Sequence, residues 1–235
     1  MRHLLPWLSA FLLLSWSPFS GGVIADEAPA AKPGDSQRFD DKHVITGEKH
    51  FISGYPARFD NGDVNVVVEI PAGSVDKWEV DKTDGKLKWE YRDGAPRRIR
   101  YLSYPANYGM IPQTVLAKED GGDGDPLDVI VLGEALPRGT VVRCRLIGSL
   151  RMLDSGEADD KLLAVRAGTP FADIQTTDEL QQKFPGALQI VQTWFQNYKG
   201  PGEMEFLGLG DKQSTAATVE AAFQSWKKNQ NTAAE

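Results

Sequence analysis

Asp123-Gly124-Asp125-Pro126-Leu127-Asp128-Val129-Ile130-Val131-Leu132-Gly133 joins two different things end to end. Its first half is a turn bent by glycine and proline, with carboxylates at i, i+2 and i+5. Its second half is an aliphatic run, too short for a helix and rich in β-branched residues, that stops at a glycine. This is the pattern of a strand buried on both faces. Like charges packed at the mouth of a buried strand are costly unless a hard cation neutralises them. The spacing does not fit the EF-hand loop, which repeats oxygen ligands at alternate positions and ends on a glutamate. By itself the run is either a solvated acidic loop or part of a metal site.

The flanking sequence predicts more short strands. Val64, Val66, Val68 and Ile70 alternate with Asn65, Val67 and Glu69, and Pro71-Ala72-Gly73 ends the run. In Lys77-Trp78-Glu79-Val80-Asp81 the period of two puts Lys77, Glu79 and Asp81 on one face and Trp78 and Val80 on the other. Asp84-Gly85 is a turn signal before residues 86–91, and strands are expected again at 141–147 and 162–165. Helix signals come late. Thr177-Asp178-Glu179-Leu180 reads as a capped start, and Leu188, Val191, Phe195 and Tyr198 recur at helical spacing. Val219, Ala222, Phe223 and Trp226 mark an amphipathic C-terminal helix. Strands first and helices last predict an α+β domain, mainly an antiparallel β-barrel with flanking helices.

A second acidic loop, Asp154-Ser155-Gly156-Glu157-Ala158-Asp159-Asp160-Lys161, lies between two predicted strands. With the first loop it can supply oxygen ligands for more than one Mg²⁺, an ion that takes few carboxylates and keeps waters and phosphate oxygens. Lys77, Arg92, Arg97, Arg98, Arg100, Tyr104, Tyr108, Tyr198 and Lys199 form a basic and phenolic group. Each is ordinary alone. Together with the carboxylates they suit a multiply charged phosphate compound, whose oxygens are shared between metals and donors.

The chain resembles the soluble inorganic pyrophosphatases of family I, the magnesium-dependent type built on an OB-like barrel. Asp123-Gly124-Asp125-Pro126-Leu127-Asp128-Val129 fits that family's D-[SGDN]-D-[PE]-[LIVMF]-D-[LIVMGAC] signature. Five further segments look like family segments in family order: 67–72, 77–81, 104–109, 154–161 and 197–199. The resemblance covers roughly residues 60–205 and implies hydrolysis of pyrophosphate to two phosphates by metal-activated water. It implies Asp123, Asp128, Asp154 and Asp159 as ligands of several Mg²⁺ ions, with Glu69 assisting and Mn²⁺ as a possible substitute. It makes Asp125 the general base and places Tyr104 with the catalytic groups, supporting the site together with Glu79. Lys77, Tyr108, Lys161, Tyr198 and Lys199 become phosphate ligands. The family's arginine falls here in a longer, arginine-rich loop: Arg92 fits the strand context best, with Arg97 and Arg98 as alternatives. A homo-oligomer is implied as well. From the acidic loops alone, a two-metal phosphomonoesterase or nucleotidase, or a non-catalytic exported module for metal or phosphate, stays open.

The start of the chain is of another kind. Arg2, an apolar run over 4–14 and Val23-Ile24-Ala25 form the pattern of a cleaved export signal over residues 1–25, giving a periplasmic or secreted protein with no stable membrane association. Residues 26–42 are rich in Ala, Pro, Asp and Lys and predict a disordered leader, which leaves 43–235 as one barrel domain. The net charge is -7, with 26 basic and 33 acidic residues, and becomes -8 once Arg2 is removed with the signal. That balance argues against a nucleic-acid partner, so a polyanion must be met by metals or clustered cations. Cys144 is the sole cysteine, flanked by Arg143 and Arg145 in a strand-like run; it cannot form an internal disulfide and reads as an inert core residue.

Overall fold

The structure, a computed structural model, describes residues 38–116, 122 and 124–232. Residues 1–25, most of the 26–42 leader and Asp123 lie outside them. In chain order the strands are β1 (Arg38–Asp41), β2 (Val44–Thr46), β3 (Val64–Ile70), β4 (Trp78–Val80), β5 (Leu87–Trp89), β6 (Tyr91–Arg92), β7 (Ala95–Pro96), β8 (Asn107–Met110) and β9 (Asp128–Leu132). Then come β10 (Val141–Asp154), β11 (Glu157–Ala158), β12 (Lys161–Val165), α1 (Thr177–Lys183), α2 (Ala187–Asn197), β13 (Met204–Gly210) and α3 (Lys212–Thr232).

Five strands close into a ring. β3 pairs β8, β8 pairs β9, β9 pairs β12, β12 pairs β10, and β10 returns to β3. Closure depends on the 14-residue length of β10. Its first part, Val141–Cys144, pairs β3, its middle pairs β12, and its last part pairs β13. The strand bends at a register shift between Leu146 and Gly148. Gly148 has φ +151°, and a Cβ there would lie 2.7 Å from the Gly210 carbonyl oxygen; glycine is what lets the strand turn from one partner to the next. The ring is antiparallel except for β9 beside β12. The expected α+β barrel with flanking helices, one of them C-terminal, is therefore present.

The alternation predicted in the strands sorts two apolar cores. Val129, Val131, Leu162 and Ala164 join Val64, Val66 and Val219 and Ala222 of α3. Their neighbours Ile130, Leu132, Leu163 and Val165 join Leu180 of α1 and Leu188, Val191, Trp194 and Phe195 of α2. A second sheet, ordered β1-β2-β5-β4, stacks Trp78 on Trp89 at 5.6 Å.

Among the boundaries that differ from the sequence reading are those of β1 and α1. β1 falls inside the stretch expected to lack regular structure, because pairing with β2 gives its backbone partners that composition cannot reveal. The cap of α1 is Thr176 rather than Thr177: its hydroxyl accepts from the Glu179 amide at 3.2 Å while the Glu179 carboxylate accepts from Gln175 N, an arrangement close to a capping box.

Candidate active site

The ends of four elements meet around a cavity of about 450 Å³. Asp128 opens β9, Asp154 closes β10, Lys161 opens β12, and Tyr198-Lys199 leave the C-terminal end of α2. Lys77 and Glu79 come from the face of β4 opposite Trp78, as the period of two predicts, with Nζ to Oε1 at 2.6 Å. Asp81 does not continue that face: β4 ends at Val80, and Asp81 turns to Lys88 at 2.8 Å. The wall carries seven carboxylates against five cations. An excess of negative charge does not attract a polyanion unaided, so the site needs added cationic charge to hold one.

Lys161 is the centre of the acidic side. Its side chain is 3% exposed and its ammonium bonds both Asp128 and Asp159. Burial would raise the Asp128 carboxyl, but Lys161 and the Tyr108 hydroxyl outweigh it and hold Asp128 below the usual value. At Asp159 burial wins, helped by the charge of Asp128, and the carboxyl is raised despite Lys161. Asp160 points elsewhere, accepting from Met152 N at 2.9 Å, which leaves Asp159 as the residue of that pair on the cavity wall. Asp154 bonds Lys199. Asp125, at the rim, bonds Lys82.

Glu69 lies deeper. Its Oε1 accepts from Val80 N at 2.8 Å. Burial raises its carboxyl to about 8, with Lys77 opposing and Glu79 and Asp128 adding to the rise. Burial alone would lower the Lys77 ammonium, but Tyr104, Glu79 and Glu69 outweigh it and keep it charged well above the ordinary lysine range. Tyr108 and Tyr198 are both raised, chiefly by burial, so both remain phenol donors at neutral pH. The Tyr198 ring is fixed by stacking on Trp194 at 4.7 Å, and the Trp194 indole N–H donates to the Leu102 carbonyl at 2.8 Å.

Of the residues expected at the site, Glu69, Lys77, Glu79, Tyr108, Asp125, Asp128, Asp154, Asp159, Lys161, Tyr198 and Lys199 share this cavity. Of the other described residues expected there, two do not line it. Tyr104 is buried behind the wall, 4.3 Å from Trp194. Arg92 lies on the β6–β7 hairpin and lines an adjoining cavity, while Arg97 reaches the catalytic one. The turn Asp93-Gly94 lifts Arg92 away, and Glu90 fixes Arg97 through two bonds of 2.8 and 2.6 Å. Lys82 was not anticipated. The alternation in β4 would send it to the far face, and only the end of that strand at Val80 brings it round to Asp125.

Among the described residues, no three carboxylates converge closely enough to hold an ion as they stand, since Lys161 occupies the place between Asp128 and Asp159. The donor set nonetheless fits hard divalent ions. It is all oxygen, sparse, and beside groups suited to phosphate, as Mg²⁺ prefers.

Known proteins resemble the chain in both sequence and fold. The sequence model of the family described as inorganic pyrophosphatase matches residues 66–227. A soluble inorganic pyrophosphatase of Oryza sativa subsp. indica is 39% identical over 164 residues, 67% of this chain and 68% of that protein. An inorganic pyrophosphatase of Xylella fastidiosa is 35% identical over 170 residues, 70% of this chain and 90% of that protein. The crystal structure of a type I inorganic pyrophosphatase from Toxoplasma gondii superposes with a TM-score of 0.72 at 27% identity, covering 79% of this chain and 92% of that one.

Proposed function

Because this chain belongs to the inorganic pyrophosphatase family, whose family I members share an OB-like barrel and depend on divalent metal, we propose that it hydrolyses inorganic pyrophosphate to two phosphates with Mg²⁺ as the physiological ion. One observation carries the reading: a single cavity holds Asp128, Asp154 and Asp159 on one side and Lys77, Arg97, Tyr198 and Lys199 around them. Carboxylates alone would suit a cation store and cations alone an anion store; the combination suits a metal–phosphate complex.

Asp123, Asp128, Asp154 and Asp159 would hold the ions, with Glu69 assisting from behind. When bound, divalent ions acidify water and neutralise phosphate oxygens. The residues of the chain do the rest. Asp125, 51% exposed at the rim, takes the proton of the attacking water. Lys77, Arg97, Tyr198 and Lys199 bind the oxygens of the departing phosphate and favour the build-up of charge on it. Tyr108 and Lys161 orient the acidic side; the Tyr108 ring, 5.4 Å from Lys77 Nζ, and the Glu79 carboxylate hold the Lys77 ammonium in place, with Tyr104 packed against Tyr108 behind them.

Phosphate release from pyrophosphate, with Mg²⁺ and with excess EDTA, tests the proposal. Metal-dependent release is expected; a protein that binds Mg²⁺ yet releases no phosphate would be a binding module instead. Residues 1–25 are assigned as an export signal and the chain as a periplasmic or secreted homo-oligomer, with 43–235 as its barrel domain. The mass of the exported protein checks the first, and light scattering the second. Among the described residues no helix is long and apolar enough to cross a membrane.

A further inference from the structure

A second cavity of about 940 Å³ adjoins the catalytic one and shares Arg97, Asp154, Tyr198 and Lys199 with it. Its distinctive wall is the arginine-rich segment that follows β5. There Asp93 at φ 53° and Gly94 at φ 75° make a two-residue turn with both central residues left-handed, the geometry that matches the twist of a tight hairpin. Arg92 stands opposite Ala95 in that hairpin. Glu90 ties the base of the hairpin down through Arg97, whose amide also donates to the Glu90 carbonyl at 2.7 Å. Arg98 is steered by Asp76 at 2.9 Å and by the face of Trp89.

Arg92 and Arg100 are exposed and have no ion-pair partner among the described residues. Three carboxylates also reach this wall; Asp154 is already engaged by Lys199, leaving Asp93 and Glu203. Two unneutralised guanidinium groups, Arg92 on a firm hairpin and Arg100 in the segment that follows it, continuous with a phosphate site, make a track for further anionic groups. No tryptophan or phenylalanine lines it, and the Tyr198 ring is spent on Trp194, so it lacks a platform for a nucleobase.

We propose that this basin binds the outer phosphoryl groups of linear inorganic polyphosphate, so that the chain also cleaves tripolyphosphate and longer chains. The inference rests on the pyrophosphatase reading and extends its substrate class. In the step, the oxygen of one water bonds to a phosphorus at the catalytic cavity as its bridging P–O bond breaks. The bridging oxygen leaves with the remaining chain, and the water's protons pass to the base and the products. Tripolyphosphate and water thus give pyrophosphate and orthophosphate.

The test compares kcat/KM for pyrophosphate, tripolyphosphate and ATP, with Mg²⁺, in the full-length protein and in the double variant Arg92→Ala/Arg100→Ala. Cleavage of tripolyphosphate is expected, with its kcat/KM relative to that for pyrophosphate falling about tenfold in the variant. Pyrophosphate turnover without tripolyphosphate turnover, or an unchanged ratio, overturns the extension alone. An equal dependence of ATP cleavage on the two arginines replaces polyphosphate by nucleotide and overturns the assignment. Absence of turnover on pyrophosphate itself overturns the extension together with the reading beneath it.

Discussion

Lys161 shows how one residue can serve both stability and the site. It is a buried cation between two carboxylates, so its removal leaves Asp128 and Asp159 facing each other unpaired. Lys161→Met is expected to cost about 3 kcal/mol in EDTA. Denaturant titration should show that gap narrowing in Mg²⁺, since a divalent ion restores positive charge between the same groups. Asp125 is different: it is exposed and at the rim, so Asp125→Asn should leave stability and metal binding nearly unaltered. Turnover of pyrophosphate should fall by about 10²–10⁴; near-normal turnover would remove Asp125 from the role of base. Cys144 has no part in this chemistry. Burial pushes its thiol up to about 12, so a thiol reagent should modify it only as the protein unfolds. At this scale the roles of Asp125, Asp128, Lys77 and Lys199 could be suggested by their motifs. The choice between Arg92 and Arg97 could not, because it depends on which way a hairpin lifts its side chains.

Strands set the geometry that those residues use. β8 runs so close to β3 that a Cβ on Gly109 would lie 1.9 Å from the Val67 carbonyl oxygen. Backbone cannot yield as a side chain does, so Gly109→Ala should destabilise by about 3 kcal/mol. It should also displace Tyr108 enough to lower activity in the fraction that folds, which a thermal melt and an assay on the same sample would separate. At the end of β4 the Lys88 ammonium, first among several donors, holds the Asp81 carboxyl below its ordinary value. A carboxyl lowered in the folded state stabilises above its unfolded pKa, and that contribution is lost as pH falls through the folded value. Asp81→Asn should therefore weaken the protein modestly at neutral pH, since the pair is partly exposed. In acid its melting temperature should converge with that of the parent. Element type was largely legible: period two marked β3 and β4, and helical spacing marked α2 and α3. Element ends were not. The stop of β4 at Val80 and the length of β10 follow from partners distant in the chain.

Across the molecule, closure of the ring makes a site out of chain ends. Asp128, Asp154 and Lys161 belong to three strands that meet only because β10 pairs β12, and β12 lies parallel to β9. Binding at such a site stabilises the whole fold: Mg²⁺ at a hundred times its Kd adds about 2.7 kcal/mol, so stripping the ion with EDTA should lower the melting temperature and stop turnover together. The amino-acid sequence determined the chemistry available here. Carboxylates at fixed spacing, a buried strand behind them, and a later Tyr-Lys pair define a metal and phosphate inventory whatever the chain does elsewhere. Tertiary structure alone decided the allocation: Asp159 to the cavity and Asp160 to the Met152 amide, Lys82 onto Asp125, Tyr104 behind the wall, and Arg97 rather than Arg92 beside Lys77. The physical reason is that spacing along a strand fixes which face a side chain takes, whereas closure of the barrel fixes what that face meets.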